Sequence, residues 1–460
     1  MGFDAMIFAR GDYQDTEKRM NESSMQWLWR PQWNHLGKRA QLLSFMMIGN
    51  SYYPPRYFDF FDTNPDEGSF VVDPDSTEFN ADWKAEWFIN YVTELSHHFR
   101  TNHIMFPMGG DFQFINAHLQ FVNLDRMIEY INNKYPNVTL LYSTPGQYID
   151  ALYSANISWP TKYDDMFPYA DKPEDYWTGY FTSRQGAKWQ VREGQAALHS
   201  AGWLYSLRVL DQNASDAQIS SVIAARDALL DSMGIYQHHD AVTGTAKQYV
   251  ADDYTLRHVK AFNANFDQYE KMINFLSQKM AGVKAHYWTH CVVNNGTYLD
   301  CPVSYQTNQT FIVAVQNPSM QAVYYQRIKL PHTKFSVQAW NPTLKNFTSV
   351  NSSAICHQNK FENGLTINDC DLWVDNKVDA KTLSWLLVTY DPFKPEPTGG
   401  IKKFEYLTEN TRGSLFKLYA DDGSEKYMSF QLRYYEADAG GDNYTGSDNV
   451  PSGAYIFKPA

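Results

Sequence analysis

Apolar and polar positions divide the chain into three successive regimes. Over residues 1–170 short apolar runs alternate with helical patterns. MIFAR (6–10) reads as a strand, and the polar stretch from Thr16 to Trp29 is compatible with a helix. HIMFPMGGDF (103–112) is an apolar run broken by Gly109 and Gly110. Leu124, Met127, Ile128 and Ile131 then recur at the 3.6-residue period of a helix. VTLLYSTP (138–145) reads as another strand, and GQYIDALYSA opens a helix. Such alternation predicts an α/β domain with a parallel sheet, here over residues 1–182.

From 183 to 285 three long helical segments follow one another, at about 186–211, 215–237 and 246–280, with Thr245 placed to cap the third. Short connections between long helices predict an antiparallel three-helix bundle. Beyond 286 the period becomes that of strands. TFIVAVQ (310–316), VYYQRIKL (323–330), LSWLLVTY (383–390) and SLFKLYA (414–420) are the clearest, with an Asp422-Gly423 hairpin turn and a Pro/Gly-rich linker at 391–400. Residues 286–460 therefore read as β-rich material, the start of β-sandwich domains. The fold class expected is multidomain: a partial α/β domain, a bundle, then β-structure.

Composition changes this picture in two places. With 39 lysines and arginines against 51 aspartates and glutamates, the net charge is −12, and no long basic run offers a site for nucleic acid or an anionic membrane. No stretch of 18 apolar residues is present to span a bilayer. Aromatic residues reach 16% of the 460 residues, which suits either the stacking of sugar rings or simply a core of packed rings. Four cysteines form two closely spaced pairs, Cys291 with Cys301 and Cys356 with Cys370, although four cysteines allow three connectivities. Nine N-glycosylation sequons beside them favour an oxidising, secretory compartment. No signal peptide precedes the first strand, and both ends read as entering further structure, so truncation at both ends is expected.

Three constellations carry candidate chemistry. In MGGDFQF, two glycines let the backbone turn and approach a ligand, and Asp111 is placed as a general acid or base, or else as a loop aspartate capping the next helix. In QHHDAVTGT, one of His238 and His239 could ligate zinc while Asp240 orients a substrate hydroxyl; a polar helix end is the other reading. Adjacent histidines on a helix point about 100° apart, so one metal rarely takes both. In SYYPP (51–55) and DYWTGYFTSR (175–184), Tyr52 and Trp177 are able to stack on sugar, or to pack in a core.

Taken in order, MGFDAMIFAR, GDYQD, FRTNHIMFPMGGDFQF, LLYSTP, MFPYAD, YWTGYFTSR, YQHHDAVTGTAKQYVADDY and the closing SGAYIFKP resemble the class II α-mannosidases of glycoside hydrolase family 38, the lysosomal acid enzymes in particular. The resemblance covers nearly the whole chain, and its two most specific motifs stand about 128 residues apart. It implies a retaining exo-glycosidase acting on α-linked mannose of N-glycans, with one zinc ion. On it, Asp111 matches the acid/base carboxylate, His239 a zinc ligand, and Asp240 a residue that hydrogen-bonds sugar hydroxyls. Tyr52 and Arg10 match residues lining the mannose subsite, Trp177 a tryptophan nearby, and Cys291–Cys301 a short disulfide loop. It also implies mannose-containing oligosaccharides as partners, a lysosomal or other lumenal location, and leaves room for a homo-oligomer. A retaining mechanism needs two carboxyl groups about 5–5.5 Å apart. The family places its nucleophile and a His-x-Asp zinc pair before MGFD, and no residue of this chain matches them. With one zinc ligand present, the chain is expected to hold zinc weakly or not at all. The alternative is a derivative that binds glycans, or serves structurally, without catalysis.

Overall fold

The structure, a computed structural model, describes residues 2–47, 52–60, 68–285, 287–290, 292–294, 298–300, 303, 309–360, 366–394, 404–410, 413–419, 424–430 and 452–459. They belong to two compact units, Met1–Phe181 with Glu436–Ala460, and Thr182–Tyr435. No helix among the described residues is long and apolar enough to cross a membrane.

The first unit is a mixed α/β structure. Its elements are β1 (Ala5–Phe8), α1 (Tyr13–Asn21), β2 (Gln26–Trp29), β3 (Leu42–Met46), α2 (Ala81–Ser96), α3 (Ala117–Lys134), α4 (Pro145–Ser154) and β4 (Thr161–Lys162). The sheet order is β1-β3-β2-β4; β1 runs parallel to β3 and β2 parallel to β4, while β2 and β3 are antiparallel. Local chemistry sets the helix starts. Asp12 accepts from the backbone N–H groups of Gln14 and Asp15 to cap α1, and Thr144 with Gln147 forms a capping box on α4, with Pro145 inside the first turn. Trp27, Leu43, Phe45, Tyr148 and Leu152 form one core against the sheet. Phe58, Phe70, Phe88, Met127 and Ile131 form a second between α2 and α3.

One apolar run and one expected strand form no ladder here. Residues 103–112 and 138–144 run without a ladder partner among the described residues. Leu140 explains the second: its N–H donates to Asn132 Oδ1 at 2.7 Å and its carbonyl accepts from Asn132 Nδ2 at 2.8 Å, so a side chain of α3 occupies the groups a neighbouring strand would use. The helix expected over Thr16–Trp29 ends at Asn21, and the chain returns as β2 with Trp27 buried.

The second unit opens with the three-helix bundle: α5 (Gln185–Val209), α6 (Asp216–Tyr236) and α7 (Gln248–Ala281). Ser215 and Gln218 make a capping box on α6, and Gly282, in the left-handed region at φ +67°, ends α7. Thr245 does not cap α7. Lys247 holds that position without a side-chain bond, and the threonine hydroxyl is used elsewhere, as described below. Strands follow: β5 (Val292–Asn294), β6 (Tyr298–Asp300), β7 (Phe311–Asn317), β8 (Val323–Leu330), β9 (Phe335–Asn341), β10 (Asn346–Ser349), β11 (Ser352–Lys360), β12 (Thr366–Val378), β13 (Thr382–Tyr390), β14 (Phe404–Asn410), β15 (Gly413–Tyr419) and β16 (Glu425–Phe430). Sheets β10-β9-β13-β7 and β11-β12-β8 face each other across Ile328, Leu330, Leu372 and Val374 on one side and Phe335, Val337, Leu386 and Val388 on the other, a β-sandwich.

Cys356 and Cys370 sit opposite each other on β11 and β12 and are joined by a disulfide. Cys291 and Cys301 lie outside the described residues, as do Asp422, Gly423 and positions 395–400 of the expected linker. The closing segment, expected to continue the β-rich region, instead pairs Phe457 with Tyr176 in the first unit, and Lys458 reaches Asp175 at 3.1 Å.

Candidate functional site

In the first unit Asp111 stands on an irregular loop whose backbone is unusual for its residues. Phe112 and Phe114 have φ of +62° and +60°, the left-handed region where a Cβ is disfavoured. Gly110 has φ +156°, and a Cβ there would stand 2.6 Å from the Tyr53 ring. Tyr53 stacks on Tyr52, with ring centroids 5.1 Å apart. Tyr52 binds the loop twice: its carbonyl accepts from Gly109 N–H at 3.2 Å, and its hydroxyl donates to Asp111 Oδ1 at 3.4 Å. Gln113 anchors the far side by donating to Asp59 at 2.8 Å. Phe112 is 79% exposed, and Asp111 is exposed as well. Backbone strain of this kind is kept at positions where the geometry itself is used.

Elsewhere in the unit Arg10 lies over the Trp177 ring, 5.0 Å from its centroid. The Trp177 indole donates to Asp171 at 2.9 Å, and its ring meets Tyr169 and Tyr455. Burial, with Asp171 close by, pushes the Tyr169 phenol above its ordinary range, against the pull of Arg10. A cation, an indole and a carboxylate thus form one half-exposed polar-aromatic surface.

In the second unit the link between α6 and α7 folds as a tight loop over residues 238–246. Asp240 is its hub. Its backbone carbonyl accepts from Thr245 N–H at 3.2 Å and Ala246 N–H at 3.0 Å, and its Oδ1 accepts from the Thr245 hydroxyl at 2.6 Å. The other carboxylate oxygen faces two imidazoles, His238 Nε2 at 3.4 Å and His239 Nε2 at 3.7 Å. The start of α5 holds the loop from outside. Arg184 donates to the carbonyls of Gly244 and Ala246, and Lys188 Nζ to those of Val242 and Thr243, both at 2.8 Å. Burial lowers the Lys188 amine from its ordinary range. Gly244, at φ +80°, approaches Ser183 so closely that a Cβ would meet its carbonyl oxygen at 2.4 Å.

The adjacent histidines do not sit on a helix, so the expected divergence does not hold. In this turn their rings are 4.4 Å apart, and one ligand atom from each of His238, His239 and Asp240 falls within 4.8 Å of the others. Two zinc ligands at about 2.0–2.2 Å from one tetrahedral ion lie about 3.3–3.6 Å apart. The two histidine–carboxylate separations are close to that spacing, and two imidazoles with a carboxylate suit zinc chemically. His239 is open to solvent, its side chain 86% exposed.

The structure therefore joins Tyr52 to Asp111, Arg10 to Trp177, and His239 to Asp240. Sequence reasoning passed over several residues that hold these groups: Tyr53 and Asp59 beneath the Asp111 loop, Asp171 behind Trp177, and Arg184, Lys188 and Thr245 around Asp240. Only Thr245 carried a signal, a hydroxyl five residues after the aspartate in a glycine-containing turn.

Comparison with known proteins agrees with the sequence motifs. Residues 1–172 match the glycosyl hydrolases family 38 N-terminal domain, and residues 175–276 the alpha mannosidase middle domain. Lysosomal alpha-mannosidase of Felis catus is 35% identical over 348 residues, covering 74% of this chain and 33% of the relative. The Homo sapiens lysosomal alpha-mannosidase is 36% identical over 334 residues, 72% of this chain and 32% of the relative. The Dictyostelium discoideum protein of the same name is 39% identical over 264 residues, 56% and 25% of the two chains. This chain spans about one third of the length of the first two. A solved alpha-mannosidase structure from Enterococcus faecalis aligns with a TM-score of 0.45 at 11% identity, covering 88% of this chain and 43% of its own.

Proposed function

This chain belongs to glycoside hydrolase family 38, and we propose that it serves a zinc-dependent retaining α-mannosidase that releases terminal α-linked mannose from N-glycans and related oligosaccharides. The observation that carries the reading is the convergence of His238, His239 and Asp240 in a loop braced by Arg184 and Lys188. In this reading His239 holds the metal, and Asp240, fixed through Thr245, either joins it or accepts hydrogen bonds from sugar hydroxyls. Zinc, when bound, supplies a Lewis acid that grips and orients hydroxyls of the mannosyl ring.

Asp111 is the acid/base in this proposal. It gives its proton to the glycosidic oxygen as the bond breaks, then takes one from the water that releases mannose. The Tyr52 hydroxyl on Oδ1 leaves Oδ2 to face the leaving group. Arg10 and Trp177 line the sugar subsite, the indole offering an apolar face. No residue of this chain is assigned as the nucleophile. The lysosomal names of the relatives, the sequons and the Cys356–Cys370 disulfide support a lumenal, oxidising location.

Zinc content tests the reading most directly. Equilibrium dialysis against zinc-containing buffer with elemental analysis should show less bound zinc in His239→Ala than in the unaltered chain; equal zinc in both removes His239 from the metal site. In a protein that also carries the nucleophile, Asp111→Asn should lower α-mannoside turnover by about 10²-fold or more. Sugar binding that persists in the absence of any hydrolysis would favour the glycan-binding alternative.

A further inference from the structure

Nine asparagines head an N-x-S/T acceptor, and six of them lie among the described residues: Asn21, Asn137, Asn156, Asn213, Asn346 and Asn351. All six are exposed, and none uses its side-chain amide in a hydrogen bond to another described residue. Two more asparagines stand in the same triplet with proline between, Asn317-Pro318-Ser319 and Asn341-Pro342-Thr343, and that proline blocks glycosylation. Both hold structure. Asn317 is buried at the end of β7; its Nδ2 donates to the carbonyls of Gln321 and Val378 at 2.7 and 3.0 Å, and its Oδ1 accepts from the Ser319 hydroxyl at 2.7 Å. Asn341 Oδ1 accepts from the backbone N–H groups of Thr343 and Leu344, both at 3.0 Å, in the turn between β9 and β10. A bulky glycan suits a free amide in solvent and would cost Asn317 every one of those bonds. The triplets are open where the fold has room for a sugar and closed where it does not.

Two of the open ones share an exposed sheet edge. Asn346 begins β10, and Asn351 lies in the link to β11. Among the described residues β10 pairs only with β9 and β11 only with β12, so both sheets of the sandwich end on this side. An open edge normally carries charge, proline or a bulge against pairing with another chain. Residues 346–356 contain no charged residue and no proline, and neither ladder has a bulge. Leu344 and Ile355 beside them are 62% and 40% exposed.

We propose that N-linked oligosaccharides on Asn346 and Asn351 shield this edge from strand pairing with other chains. The inference rests on the lumenal location put forward above. Each attachment joins the asparagine Nδ2 to the anomeric carbon of an oligosaccharide carried on a polyprenyl diphosphate. The sugar–phosphate C–O bond breaks, the diphosphate leaves with its electron pair, and one amide proton is lost.

Expression of the full chain behind a secretory leader in animal cells tests this. Trypsin cleavage after Lys345 and Lys360 releases both sites on one peptide. Peptide N-glycosidase in heavy-oxygen water, followed by tandem mass spectrometry, marks each glycosylated asparagine as a labelled aspartate. Label is expected at Asn346 and Asn351 and not at Asn317 or Asn341. Bare Asn346 and Asn351 beside label at Asn137, Asn156 or Asn213 would overturn the proposal and leave the lumenal reading standing. No label at any sequon would overturn the proposal and also remove the sequons as support for that location. For the shield itself, Asn346→Gln/Asn351→Gln should lose soluble monomer several-fold faster in size exclusion than Asn137→Gln/Asn213→Gln, which removes two acceptors from helix-linking segments. Adding Ile355→Lys, a charge on β11, should slow that loss. Should the first variant not fold, Thr348→Ala/Ser353→Ala deletes both acceptors, keeps the asparagines and faces the same comparison. Equal loss from edge and helix-linking variants, or no rescue by the lysine, would overturn the shield.

Discussion

The loop that carries Asp111 and the loop that carries His239 and Asp240 are built on opposite principles. Around Asp111 the backbone is strained at Phe112 and Phe114, the Phe112 ring is open, and one long phenol bond reaches the carboxylate. Around Asp240 both carboxylate oxygens are engaged, and two cations at the start of α5 close on four backbone carbonyls. A residue that moves protons needs access and a ready change of partner. A residue that fixes a metal or a hydroxyl needs its position set beforehand, because misplacement by a fraction of an ångström forfeits coordination. If the comparison is right, the two loops should respond oppositely to substitution.

The largest effect is expected from Arg184→Ala. The change removes charge-assisted bonds to Gly244 and Ala246 in a half-buried setting and leaves both carbonyls unpaired. We expect a loss of about 2–4 kcal/mol in chemical denaturation of the second unit, with faster amide exchange across 238–246. A loss under about 0.5 kcal/mol would mean that the loop holds its own shape and that the bracing is incidental.

That bracing also marks where reading from the sequence stops. The helices were legible because their periodicity and caps agree, as at Ser215 with Gln218 on α6. VYYQRIKL coincides with β8, its run of β-branched and aromatic residues ending in Ile328 and Leu330 on the sandwich core. The segment 138–144 misled because nothing local announces that Asn132 will take both backbone groups of Leu140. The histidine pair misled for a related reason. Helical geometry was assumed where the chain had already left the helix at Tyr236, and the turn brings together rings that a helix would separate. Motif residues were visible; two of the residues that aim them, Arg184 and Lys188, lie more than fifty positions from Asp240, and nothing near the motif marks the contact.

The two units should also part company in acid. His258 on α7 is buried beneath α5 and α6, against Gly194, Met233 and Tyr236. Burial lowers its pKa below 6.5, outweighing a backbone hydrogen bond at Gln190 that favours the proton. The unfolded chain then takes up the proton more readily than the folded one. The stability this histidine contributes is whole above about pH 6.5 and is lost as pH falls from there through the folded value. In the first unit Asp164 is held below 3.8 chiefly by Lys162, so its contribution is lost only at much lower pH. Denaturation followed by probes in each unit should show the bundle weakening between pH 7 and 5 while the first unit holds, and His258→Phe should flatten that slope. Parallel pH profiles for both units would refute the assignment.

The smallest effect is the most discriminating, because its sign is at stake. Phe112 is exposed and left-handed, so Phe112→Gly removes little packing and releases about 1–2 kcal/mol of backbone strain, against about 0.5–1 kcal/mol returned to the unfolded chain as entropy. Stability should hold or rise by up to about 1 kcal/mol, read as a denaturation midpoint at unchanged slope. Gly244→Ala, the reverse exchange in the other loop, puts a Cβ against the Ser183 backbone and should be clearly destabilising. If Phe112→Gly lowers stability by more than about 1 kcal/mol, its positive φ is not a store of strain. The ring would then be tying the Asp111 loop down, and that loop would be held as firmly as the loop around Asp240.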